Sequence, residues 1–160
     1  MSKVLAVALA ALFIPAAADA QSTQTCATVS KEQIAALFDR WNASLASKNP
    51  EEIVKNYAED AVLLPTVSNK PRTNHKEIAD YFEHFVQKSP KGAIDTRTIH
   101  IGCNGAYDVG TYTFTLTGAD GKTSQVAARY SFVYELRDGK WLIVHHHSSA
   151  MPEPAATLTH

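Results

Sequence analysis

Three consecutive histidines and two serines, His145-His146-His147-Ser148-Ser149, close the last alternating run of the chain. Imidazole is the side chain that most readily acts as base, acid or metal ligand near neutral pH. Along an extended strand, side chains alternate between faces. That puts Leu142, Val144, His146 and Ser148 on one face, opposite Trp141, Ile143, His145 and His147. His145 and His147, two apart on a shared face, could chelate a divalent ion given a third ligand. No Asp or Glu stands at a recognisable spacing, so neither a metal nor a cofactor is expected. On the preceding run Tyr130, Phe132, Tyr134 and Leu136 share one face, and Arg129, Ser131, Val133 and Glu135 the other.

Strands must position these groups, and the pattern supplies them. Residues 93–103, 106–116, 126–136 and 140–149 alternate, separated by Asn104-Gly105, Gly118-Ala119-Asp120-Gly121 and Asp138-Gly139, all strong turn signals. Helices come earlier. Ser30 and Gln33 form a capping box ahead of Ile34, Leu37, Phe38, Trp41 and Leu45, which predicts an amphipathic helix over 31–47. Asn49-Pro50-Glu51-Glu52 opens a short second helix with Ile53, Val54 and Tyr57 on its apolar face, ended by Tyr57-Ala58-Glu59-Asp60. A short apolar strand at 61–65, a polar loop at 67–73 and a third helix at 74–87 follow. Helices first and a strand meander last is an α+β layout: three N-terminal helices packed in a curved antiparallel sheet, cone-shaped, with a cavity at its open end.

The chain has 160 residues and a formal charge of −1. Residues 1–20 read as a secretory signal peptide: Lys3, then about 15 nearly all apolar residues, then Ala18-Asp19-Ala20, with the apolar run short of the roughly 20 residues that span a bilayer. Cleavage near Ala20 leaves about 140 residues, the size of one domain. A polar segment (21–29), the α+β domain (30–152) and a tail (153–160) divide the rest. The near-neutral balance gives neither a nucleic-acid stripe nor a polybasic membrane patch. Export would place the protein outside the cell or in the periplasm, where Cys26 and Cys103, the two cysteines, suggest one bridge; two free thiols are the alternative. Asn42-Ala43-Ser44 matches a glycosylation sequon but falls within the first helix.

The element order resembles the nuclear transport factor 2-like superfamily, also called SnoaL-like or cystatin-like α+β barrels. More closely, Arg137-Asp138-Gly139-Lys140-Trp141 with Ile143-Val144-His145-His146-His147 resembles the end of the calcium/calmodulin-dependent protein kinase II association domain, which reads RDGKW and then IVHFHRSG. Asn74-His75-Lys76-Glu77-Ile78-Ala79-Asp80-Tyr81-Phe82 is similar to that family's third helix, with its aromatic pair. The resemblance spans about 31–152. It implies a hub that self-associates, as a homodimer or larger, and no kinase activity, since Gly-rich loop, HRD and DFG motifs are all lacking.

The resemblance also implies an interior pocket lined by arginines that can take small carboxylates. Counted back from the turn, those positions fall on Tyr112, Phe132 and Ser148, so the expected cavity is small, mostly apolar and suited to an apolar ligand, with Tyr112, Phe132, His146 and Ser148 as its lining. Arg72 or Arg129 would have to supply any charge. His146 then faces inward, and Trp141, His145 and His147 lie on the convex face where such domains pair. Enzymes of the superfamily suggest an alternative: acid–base chemistry on a small hydrophobic substrate, with His146 as base, Tyr112 or Tyr130 as donor, and Asp60.

Overall fold

The computed structural model describes residues 25–153; the signal-peptide expectation for 1–20 lies outside the described residues. Helix α1 (Lys31–Leu45) starts at the expected capping box: Gln33 N–H donates to Ser30 Oγ at 3.2 Å, and Ser30 N–H to Gln33 Oε1 at 2.8 Å. Helix α2 (Pro50–Val54) is capped by Asn49 and α3 (His75–Phe85) by Asn74, each side chain accepting a backbone N–H of the first turn. A short 3-10 turn, Val86–Lys88, extends α3.

Strand β1 (Tyr57–Leu64) begins earlier than expected, because Tyr57 opens the strand rather than closing α2. After α3 come β2 (Lys91–Ile101), β3 (Gly105–Thr117), β4 (Thr123–Arg137) and β5 (Lys140–Ala150). The five-stranded sheet has the order β1-β5-β4-β3-β2. It is mixed rather than antiparallel throughout: β1 runs parallel to β5, reached by the crossover through α3 and the meander.

The register shifts at three places, in β1 between Tyr57 and Val62 and at bulges in β2 and β5. In β2, Asp95 is the extra residue, and Gly110 of β3 faces the bend; a Cβ there would lie 2.0 Å from the Thr96 carbonyl oxygen. In β5, Val144 is the extra residue: Tyr134 pairs with Ile143, whereas Val133 pairs with His145. The bulge reverses the faces on its N-terminal side. Ile143 is buried with Tyr134, and Trp141 shares that inward side, packed against the core. Trp141 therefore does not share a face with His145 and His147, which correct the expected trio to a pair.

The core lies between the concave face and the helices. Ile34, Phe38, Trp41 and Leu45 of α1 pack with Ile78 and Phe82 of α3 against Tyr112, Phe114, Tyr130, Phe132 and Tyr134. Phe38 and Trp41 meet Phe132 edge-on, with ring centroids 6.0 and 5.3 Å apart. Asn42 fastens α1 to the edge strand: its amide accepts from Gly92 N–H and donates to Gly92 C=O, both at 2.9 Å. The sequon asparagine is thus occupied by structure. Cys26 and Cys103 are bonded, and Asn104 ties down the same segment, accepting from Ala27 N–H and donating to Thr25 C=O.

Candidate functional site

Of the three histidines, β5 sends only His146 into the core. Its ring stacks on Phe132, with centroids 4.0 Å apart, and Trp41 of α1 meets it edge-on at 5.2 Å. Tyr57, first residue of β1, reaches it from the other side, with Oη 2.9 Å from Nδ1. Trp41 Nε1–H donates to the same Tyr57 oxygen at 3.0 Å.

These contacts decide the tautomer. Indole N–H can only donate, so Tyr57 Oη accepts from Trp41 and its own hydrogen goes to the one acceptor in reach, His146 Nδ1. The imidazole proton then sits on Nε2, which has no partner among protein atoms. Burial, reinforced by repulsion from His145 and His147, drives the His146 pKa down to about 3. His146 is neutral, and its lone pair is already engaged. It can offer a hydrogen from Nε2, but it is not arranged as a base.

Beside it, Tyr112 Oη donates to Ser148 Oγ at 2.6 Å, and Ser148 Oγ also bonds Thr66 Oγ1. Burial raises the Tyr112 and Tyr57 hydroxyls above the usual phenol range. Tyr112, His146, Ser148 and Thr66 share a void with Trp41, Phe82 and Phe114, but its volume is only about 20 Å³. That is room for one water and not for an organic ligand. The ligand-sized interior cavity expected from the sequence is filled by the rings of Trp41, Phe82, Phe114 and Tyr112. Phe132 does not line the void; it lies behind His146 as its stacking partner.

The other expected catalytic groups lie apart. Asp60 sits on β1 with a side chain 70 % exposed, paired with Arg137. Tyr130 Oη donates to Asp108 Oδ1 at 2.8 Å, in a second polar cluster under α1. There Asp108 is fully buried, Arg97 Nε lies 3.0 Å from its Oδ2, and the Arg97 guanidinium covers the Phe38 ring at 5.6 Å. Burial raises the Asp108 pKa against the pull of Tyr130 and Arg97. Asp108 and Tyr57 were not singled out from the sequence. The available signal was an Asp at an inward position of an otherwise apolar alternation, Ala106-x-Asp108-x-Gly110-x-Tyr112. Arg129 is on the convex side, bonded to Ser149, and Arg72 lies at the mouth of the cone. Among the described residues no group of three or more His, Cys, Asp or Glu is placed to hold a metal, and no helix is long and apolar enough to cross a membrane.

The fold and its closing strand pair match one family throughout. The family model for the calcium/calmodulin dependent protein kinase II association domain matches residues 30–152. The chain belongs to that family. A crystal structure from Xanthomonas campestris, named for the same association domain, is 52 % identical with a TM-score of 0.76, covering 83 % of this chain and 99 % of that one. The association domain of C. elegans CaMKII has a TM-score of 0.62 at 13 % identity, covering 75 % of this chain and 95 % of that one. A nuclear transport factor 2-like protein from Salmonella enterica has a TM-score of 0.67 at 20 % identity, covering 81 % and 96 %. The last two share the fold. No curated protein matches the chain. The association-domain fold is consistent with self-association, and the disulfide points to an oxidising compartment.

Proposed function

We propose that this protein is an exported self-association module that pairs through the convex face of its sheet. The observation that carries the reading is the composition of that face. Strand register lines up two rows across all five strands. One is His100, Tyr107, Val133, His145 and Val62; the next is Thr98, Val109, Ser131, His147 and Leu64. Neither row holds a carboxylate, a lysine or an arginine. Formal charge stands at the edges instead, with Arg129 at one end and Glu135, Arg137 and Asp60 at the other. An apolar and neutral centre inside a charged rim is the make-up of a protein–protein interface. His145 is held toward its neutral form by partial burial and by His147, which suits a covered face.

Light scattering after size exclusion tests this directly. The full-length secreted protein should elute as a dimer or larger at micromolar concentration. Val133→Lys, at the centre of the upper row, should give a folded monomer. A wild-type monomer under those conditions would sink the reading. The packed interior and the engaged Nδ1 of His146 favour this function over turnover of a substrate inside the cone.

A further inference from the structure

In the two rows that cross the convex face, the only groups that gain charge in mild acid are imidazoles: His145 and His147 on β5 and His100 on β2. A strand rises about 3.3 Å per residue, so His145 and His147 stand about 6.6 Å apart on the same side. Both are half-buried before any partner covers them. His100 is separated from them by β4 and β3, and its ring stacks on Tyr107 with centroids 5.2 Å apart and an angle of 17°. An aromatic face attracts a cation, so a charge on His100 has a partner at hand. Charges on His145 and His147 have none.

The neighbours of the β5 pair are neutral or already taken. On β1, Val62 and Leu64 lie beside them, and Asp60, beyond Val62, pairs with Arg137. On β4, Val133 and Ser131 lie beside them. Glu135, beyond Val133, also pairs with Arg137, at 2.8 Å, and Arg129, beyond Ser131, adds positive charge. Farther along the rows, β3 contributes Tyr107 and Val109, and β2 His100 and Thr98. The helices pack on the other face, where His146 points. An imidazolium at either position therefore meets no free carboxylate and stands beside a second imidazolium. On an open face water solvates both. A second copy laid over them removes that water, and a charge taken out of water without a partner is costly. In the single chain, partial burial and His147 already hold His145 toward its neutral form.

We propose that His145 and His147 make self-association acid-sensitive: copies of this chain pair while the two imidazoles are neutral and part when they take up protons. The switch rests on pairing through the convex face. Covering that face favours the neutral rings, so pairing is at full strength above about pH 6.5, the ordinary imidazole value, and is lost as the pH falls below it. One imidazole that must shed its proton to be covered raises Kd about ten-fold at about pH 5.5. A two-fold interface covers the same patch on both copies, so the pair counts twice.

Analytical ultracentrifugation of the full-length protein at about pH 8 and about pH 5.5 tests it. The wild type should be paired at the higher pH, and its Kd should rise at least about ten-fold at the lower one with the circular dichroism spectrum unchanged. His145→Gln and His147→Gln should each flatten the dependence of Kd on pH, and together should remove most of it. His84→Gln, an exposed change on α3 away from this face, should leave it as in the wild type. His145→Lys, charged at either pH, should give a folded monomer throughout. Wild-type pairing as tight in acid as at the higher pH would overturn the switch and leave convex-face pairing standing. A pH dependence undiminished in both His→Gln changes, or dissociation only together with unfolding, would overturn it equally. A wild-type monomer at the higher pH would overturn the pairing itself, and the switch with it.

Discussion

Tyr57 Oη stands 2.9 Å from His146 Nδ1 and links the first strand of the sheet to the last across the core. Burial among aromatic rings, with repulsion from His145 and His147, holds the histidine neutral, and the tyrosine hydroxyl satisfies its Nδ1. An unfolded His titrates near 6.5, while His146 titrates at about 3. Below the unfolded value, the unfolded chain takes up a proton that the native state refuses. Stability contributed by the neutral ring is therefore complete above about pH 6.5 and is lost as the pH falls toward about 3, at up to about 1.4 kcal/mol per pH unit. Urea denaturation at successive pH values should show this slope in the wild type and a shallower one in His146→Gln. Parallel slopes would mean that the ring is not held neutral.

Removing the tyrosine hydroxyl alone should be more damaging than its size suggests. Tyr57→Phe keeps the ring but leaves Trp41 Nε1–H and His146 Nδ1 both buried without a partner. Each abandoned polar group costs about 1–3 kcal/mol. A loss of about 2 kcal/mol or more in the unfolding free energy from urea titration is expected, with the secondary structure unchanged. A loss below 0.5 kcal/mol on the scale of ordinary surface changes would show that the hydrogen bonds are not made.

The second buried cluster should respond in a graded way. Asp108→Ala leaves the Arg97 guanidinium without its carboxylate and Tyr130 Oη with only a long contact to the Thr96 carbonyl at 3.4 Å, and breaking a buried ion pair from one side costs about 3–5 kcal/mol. Arg97 keeps a quarter of its side chain in solvent, which places the expected loss near about 3 kcal/mol, at the lower end of that range. Asp108→Asn keeps an acceptor for Tyr130 and should lose about half as much. If Ala and Asn variants unfold at the same urea concentration, the acceptor kept for Tyr130 contributes nothing and loss of the carboxylate charge beside Arg97 carries the whole effect.

The architecture was legible because local chemistry and global packing agree. Ser30 with Gln33, Asn49 with Pro50, and Asp138-Gly139 mark their boundaries by hydrogen bonding and backbone preference, and these do not depend on the rest of the fold. In the last turn, both Asp138 and Gly139 take positive φ, at 50° and 75°. What alternation could not reveal was Val144, an apolar residue like its neighbours, because a bulge changes parity without changing composition. That hid the inward turn of Trp141. Tyr57 suited a helix face or a strand equally well, and only the parallel pairing of β1 with β5 decides it. Asp108 went unnoticed because its partners, Arg97 and Tyr130, come from two other strands. The size of the interior void depends on how four rings interlock, which residue types alone do not specify.

The disulfide should matter for stability more than for shape. Cys26 and Cys103 are 77 residues apart, so the bond restrains a long stretch of the unfolded chain, while in the native state it fastens only a short segment to the β2–β3 turn. Loop-closure entropy sets a ceiling of about 4.5 kcal/mol for a loop of this size, and measured bridges usually reach about 2–4 kcal/mol. The helices and the sheet core do not run through the bond, and Asn104 still holds Thr25 and Ala27 by its side chain. The Cys26→Ser, Cys103→Ser double variant should therefore keep the wild-type circular dichroism spectrum and oligomeric state and unfold at lower urea, by about 2 kcal/mol or more. Reducing the wild type with dithiothreitol should give the same shift. A double variant as stable as the oxidised protein would show that the bond itself adds nothing to stability.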